Sequence, residues 1–193
     1  MKALCVFCGS KPGRNPAYLA AAKTMGDLLG RRGITMIYGG GSVGLMGACA
    51  DAALNAGGKV IGVIPRSLLQ REQGHGRLTE QHVVGNMHER KALMNKLSDG
   101  FIILPGGVGT LEEFFEIWSW GQLGIHAKPF GVLEVEGFWK SLFDCLDHMT
   151  AEGFVRPEHR AMVRVAEDAS DLLLAMSAYK APKGATWRPE DKI

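Results

Sequence analysis

At 193 residues and 46% hydrophobic content, the chain is long enough to bury a full core and is expected to form one domain. Its net charge of +2 is far from the basic balance of a nucleic-acid binder, and no apolar run approaches the roughly 18 residues of a membrane span. The start Met1-Lys2-Ala3-Leu4 leads into Gly9-Ser10 without a signal-peptide plan, so no nucleic-acid or membrane partner is expected and the expected compartment is the cytoplasm.

Apolar strands and helical periodicities alternate from the first residues onward. Cys5-Val6-Phe7-Cys8 falls in the first predicted strand, at 2–8, where residues three apart point to opposite faces. The pair has neither the helix N-terminus that activates a thiolate nor further ligands for zinc, so both are read as buried strand cysteines. A helix is expected at 16–32 and a second strand at 34–38. That strand enters Gly39-Gly40-Gly41-Ser42-Val43-Gly44-Leu45-Met46-Gly47 and a helix at 44–57. Gly39-x-Gly41-x-x-Gly44 has the spelling of a dinucleotide fingerprint, but the acid that would hold ribose hydroxyls is missing after the next strand, at 59–64, which runs into Pro65-Arg66. Arg66, able to accept a 2′-phosphate, leaves an NADP reading weakly open. Neither glycine turn of the chain carries the GK[ST] of a P-loop, which removes a nucleoside triphosphatase.

The segment from Pro65 to Gly76, with Arg66, Arg71, Glu72 and His75, is the longest polar connection and is expected to loop over the ligand edge of the sheet. A strand at 80–84 precedes a helix at 87–98 that opens with Met87-His88-Glu89-Arg90-Lys91. The strand at 100–104 then runs into Pro105-Gly106-Gly107-Val108-Gly109-Thr110-Leu111-Glu112-Glu113 and a helix at 110–123. Glycines there let the backbone approach a ligand, and N–H groups at the helix start face any anion placed there. With the turn at 39–47 built on the same plan, two such turns point to one nucleotide-sized site.

Thr110-Leu111-Glu112-Glu113 fits a capping box with Thr110 as N-cap and Glu113 at N3, so capping alone accounts for both acids. Glu116, one turn further on, makes three carboxylates at one helix start, a crowding that calls for a cation or ligand. The Arg90-Lys91 pair, entering at the same sheet edge, is the candidate cation. His88, His126 and His148 lack paired ligand spacing, and no metal is expected. A strand at 129–134 and helices at 137–151 and 168–179 complete a domain over 1–180, and 181–193 is expected to be a loosely ordered tail. The alternation implies an α/β fold, a Rossmann-like doubly wound parallel sheet whose ligand sits beyond the carboxyl ends of the strands.

Together these residues resemble the Lonely Guy (LOG) family of cytokinin riboside 5'-monophosphate phosphoribohydrolases, formerly labelled lysine decarboxylase-like. The family's PGGxGTxxE motif runs from Pro105 to Glu113, and its Arg-Lys pair is Arg90-Lys91 after Met87. Similarity extends through Phe7-Cys8-Gly9-Ser10, the turn from Tyr38 to Gly47, Ile64-Pro65 and the segment from Trp120 to Pro129, covering residues 4–160. The resemblance implies a hydrolase that cleaves the N-glycosidic bond of adenosine 5'-monophosphates, N6-modified or not, to free base and ribose 5-phosphate. It implies Arg90 and Glu113 as the catalytic pair. For substrate binding it implies Gly9, Ser10, Gly40, Gly41, Glu72, Met87, Lys91, Pro105, Gly106, Gly107, Val108, Gly109, Thr110, Glu112 and Ser119. Ser119 stands where many members carry Thr, and the loop from Gln70 to Gly76 departs from the plant pattern. AMP or N6-prenyl-AMP is the implied substrate, with a homodimer and no cofactor. The alternative is a non-catalytic nucleotide or molybdenum-cofactor carrier of the same superfamily; the joint presence of Arg90, Lys91 and Glu113 favours the enzyme, since a carboxylate beside an anionic ligand serves a carrier poorly. A lysine decarboxylase would need a Schiff-base lysine for pyridoxal phosphate, and no lysine here has the surroundings of one.

Overall fold

The computed structural model describes residues 1–69 and 74–182. Glu72 and almost all of the expected tail therefore lie outside the described residues. Strands β1 (Ala3–Phe7), β2 (Thr35–Tyr38), β3 (Val60–Pro65), β4 (Glu80–Val84), β5 (Gly100–Ile103), β6 (Phe130–Leu133) and β7 (Val163–Ala166) form one sheet in the order β4-β3-β2-β1-β5-β6-β7. Every neighbouring pair is parallel. The helices are α1 (Pro16–Arg31), α2 (Gly44–Asn55), α3 (Met87–Leu97), α4 (Val108–Leu123), α5 (Lys140–Ala151), α6 (Pro157–Arg160) and α7 (Ala169–Ser177). Among the described residues no helix is long and apolar enough to cross a membrane.

Period-two alternation of apolar residues on β1 divides the core. Leu4, Val6 and Cys8 join the layer built with α1, α2 and α7, whereas Cys5 and Phe7 join the layer built with α3, α4 and α5. The doubly wound expectation is met, and the close cysteine pair faces two different layers. Burial pushes the Cys5 and Cys8 thiols well above their usual range and Cys49 up to about 12, so all three are neutral core groups. Residues 152–167 carried no predicted element; the structure has α6 and β7 there. β7 is a four-residue edge strand with only Val163 fully buried, too short for its alternation to stand out.

This order puts the reversal of winding between β1 and β5. The crevice beyond their carboxyl ends is where an open α/β sheet binds its ligand.

Candidate active site

Two loops meet at that crevice. β1 runs out into Gly9, whose N–H donates to Pro105 O at 3.0 Å, which docks the Gly9-Ser10 loop on the turn that follows β5. The Gly9 carbonyl then accepts the N–H groups of Leu45 at 3.0 Å and Met46 at 3.3 Å, in the first turn of α2. Gly44, at φ +63°, makes the contact tight: a Cβ there would stand 2.5 Å from Lys11 N. Two N–H groups at the start of the helix after β2 are thus engaged by the β1 loop. Gly40 and Gly41 do not line the cavity described below; Gly40 packs on β3 and Gly41 bridges Gly74.

The turn after β5 is different. α4 begins at Val108 with Gly107 as N-cap, and Gly107 has no side chain to offer the first-turn N–H groups. This corrects the expected capping box, since Thr110 lies inside the first turn and Glu113 one turn further along. Packing decides it: Thr110 is buried against Gly106, where a Cβ would lie 2.7 Å from the threonine Cβ. A box of that type does form at α3. Asn86 accepts the Glu89 N–H at 2.9 Å, and Glu89 reaches back to the Gly85 N–H at 2.8 Å. That cap starts α3 over the ligand edge and turns Arg90 inward.

A cavity of about 540 Å³ lies between these parts. Of the residues expected at the site, Gly9, Ser10, Met87, Arg90, every residue from Pro105 to Thr110, Glu112 and Glu113 line it. Lys91 does not. Ser119 is exposed on α4 and also lies off the cavity. The wall further includes Leu45 and Met46 of the glycine turn after β2, and Lys11, Tyr18, Leu68 and Phe138, which no motif marked. Tyr18 and Phe138 meet edge to face at 5.2 Å and, with Leu45, Met46 and Leu68, give the cavity an apolar arm. Their 120-residue separation left no sequence signal beyond ordinary core periodicity.

Charge is paired at the wall. Arg90 Nη2 lies 3.8 Å from Glu113 Oε1, with side chains only 6% and 12% exposed. The guanidinium also approaches Met87 Sδ at 3.7 Å, and its buried Nε has no hydrogen-bond partner among the described residues. Lys91 Nζ bridges Glu112 at 2.5 Å and Glu116 at 2.8 Å. Burial works against the lysine charge, yet the two carboxylates win and hold its pKa above the usual lysine range. The three crowded carboxylates are therefore met by two cations, Arg90 on the cavity side and Lys91 on the outer side. A buried cation and acid beside an uncapped helix start can hold an anion at one point and stabilise positive charge at another.

A family model described as "Possible lysine decarboxylase" matches residues 46–176. The chain is 47% identical to a cytokinin riboside 5'-monophosphate phosphoribohydrolase of Arabidopsis thaliana, over 92% of this chain and 84% of the relative. It is 47% identical to one of Rhodococcoides fascians, over 91% and 89%, and 46% identical to one of Oryza sativa subsp. japonica, over 91% and 73%. Among solved structures, a molybdenum cofactor binding protein from Rippkaea orientalis superposes with a TM-score of 0.69 at 21% identity, covering 92% of this chain and 97% of that one. The molybdenum cofactor carrier protein of Chlamydomonas reinhardtii gives 0.68 at 22%, covering 91% and 95%. At that identity these two matches speak for the fold alone.

Proposed function

Because this chain belongs to the Lonely Guy family, we propose that it is a phosphoribohydrolase that cleaves the N-glycosidic bond of adenosine 5'-monophosphates, releasing free base and ribose 5-phosphate. The observation that carries the reading is that Glu113, Arg90 and the uncapped start of α4 all border one cavity. The 5'-phosphate rests against Gly107, Gly109 and Thr110, where first-turn N–H groups and the helix dipole both favour an anion. Breaking the bond to the base leaves positive charge on the ribose ring. Glu113, 3.8 Å from Arg90, stabilises that charge and orients the attacking water, as a carboxylate does in glycoside hydrolysis. Arg90 is permanently protonated and so serves as an electrostatic clamp.

In this reading Lys91 holds Glu112 and Glu116 in place and does not touch substrate. Binding of the phosphate then fixes the sugar against Glu113, so remote contact energy serves the chemical step. The apolar arm at Tyr18 and Phe138 supports a substrate class that extends to N6-prenyl-AMP. The proposal includes one nucleotide-binding domain over 1–180 and a homodimer. The test incubates the protein with AMP, N6-isopentenyl-AMP, GMP and CMP and follows free base by chromatography, with Glu113→Gln alongside. Base release from an adenine nucleotide, lost in the variant, supports the reading; no release from any nucleotide refutes it.

A further inference from the structure

The turn Gly39-Gly40-Gly41 spells a nucleotide fingerprint, yet none of the three residues lines the cavity. What it touches is Arg90. A Cβ built on Gly39 would overlap Nη2 of the guanidinium, stand 3.2 Å from its Cζ and lie 3.5 Å from Met46 Sδ. Arg90 is only 5% exposed, so a side chain at 39 would have to push the guanidinium out of its seat. Any such shift moves the cation relative to Glu113, since the two already stand at 3.8 Å.

The turn itself is held from outside. Gly40, at φ +81°, offers its carbonyl to the His75 N–H at 3.0 Å, and Gly41 bridges Gly74. His75 is a buried side chain, 6% exposed, whose Nε2 lies 3.2 Å from Asp51 Oδ1 on α2. Its Nδ1 accepts the Arg77 N–H at 3.2 Å, and the Arg77 guanidinium closes on the same Asp51 carboxylate. Since α2 grows out of the turn that His75 binds, the contacts form a closed ring: turn, helix, Asp51, His75 and back to the turn. His75 is the buried member of this ring, with Asp51 and Arg77 44% and 61% exposed at its rim, and its bonds tie the backbone of the turn to α2.

We propose that Gly39 is a positioning residue that acts through Arg90, and that His75, tied to Asp51, holds the turn that presents it. The inference rests on the catalytic reading of Arg90, and it assigns the fingerprint glycines to seating a side chain and not to a ligand. A double-mutant cycle tests it, with kcat and KM for AMP and the melting temperature measured on wild type, Gly39→Ala, Arg90→Ala and the double variant. Gly39→Ala alone is expected to lower kcat by roughly a hundredfold with KM little changed, and to lower the melting temperature. In the Arg90→Ala background the same substitution should change neither, because the space it needs has been vacated. His75→Ala should lower kcat in the same manner, and His75→Gln, which keeps a donor toward Asp51, should recover most of it. Wild-type kcat in Gly39→Ala, or equal losses in both backgrounds, overturns the seat; His75→Gln no better than His75→Ala overturns the brace. A wild type that releases no base would refute the hydrolase reading, while the melting-temperature arm would still decide the seat.

Discussion

Glu113 is proposed to work as a negative charge, which separates its role from that of a proton carrier and fixes what its replacement should do. Glu113→Gln keeps shape and removes charge, so kcat on AMP is expected to fall roughly a hundred- to a thousandfold while KM changes little, because the phosphate is bound elsewhere. Steady-state kinetics check this; a large rise in KM at unchanged kcat would make Glu113 a binding group only. His126 makes a second residue-scale prediction, about stability. Burial, outweighing its 2.8 Å bond to Ile117 O, lowers its pKa from 6.5 to about 4, and a nearby Lys128 adds to the effect. The neutral ring is satisfied: Nε2 donates to Ile117 O and Nδ1 accepts the Lys128 N–H at 3.2 Å. Because the folded pKa lies below the unfolded one, this contribution is complete above about pH 6.5 and is lost as pH falls from there to about 4, by about 3 kcal/mol at most. Urea unfolding at pH 7.5 and 4.5 should show a larger loss for wild type than for His126→Gln; parallel losses would contradict the assignment.

The start of α4 carries a trade between stability and function. Gly107 leaves the first-turn N–H groups open, and nothing stands within 4 Å of where its Cβ would be. Gly107→Asp should therefore fit, cap the helix and stabilise it by a few tenths of a kcal/mol, while its carboxylate competes with the substrate phosphate. KM for AMP should rise at least roughly tenfold, with melting temperature unchanged or higher; a rise in KM accompanied by unfolding would defeat the argument. On the opposite layer, α1 packs so closely on α2 that a Cβ at Gly26 would lie 3.0 Å from the Cys49 carbonyl carbon and overlap its oxygen. Gly26→Ala is expected to cost about 1–3 kcal/mol in chemical denaturation, and a neutral result would mean that the two helices separate freely. Most elements were legible because their apolar periods are long and bounded by glycine, as at β5 and α4. Two failures have physical causes. Thr110-x-x-Glu113 has the spelling of a capping box, and the burial of Thr110 on Gly106 places it inside the first turn of α4 with Gly107 as N-cap. Strand β7 has four residues at a sheet edge, too few for alternation to separate from noise.

For the molecule as a whole, the sheet order makes the site, because the reversal at β1 and β5 brings Gly9 and the Pro105 to Glu113 run to one crevice that Arg90 enters from α3. The motif half of that cavity was legible, since a phosphate cradle needs particular residue types at particular spacings. The apolar half was not, because Tyr18 and Phe138 meet only through the tertiary fold. For the proposed homodimer we propose the stripe of α4 on which Phe115 and Leu123, 40% and 54% exposed, flank Ser119. Leu123→Asp should halve the mass seen by sedimentation, and an unchanged mass would exclude that stripe as the interface. A single cavity is proposed to hold the nucleotide by its phosphate while Glu113 faces the ribose carbon that the base leaves. The most direct measurement is the ratio of kcat/KM for base release from AMP and from adenosine by the purified protein. AMP is expected to be preferred by roughly a hundredfold or more, in kcat as well as KM. Comparable turnover of the two substrates would contradict it.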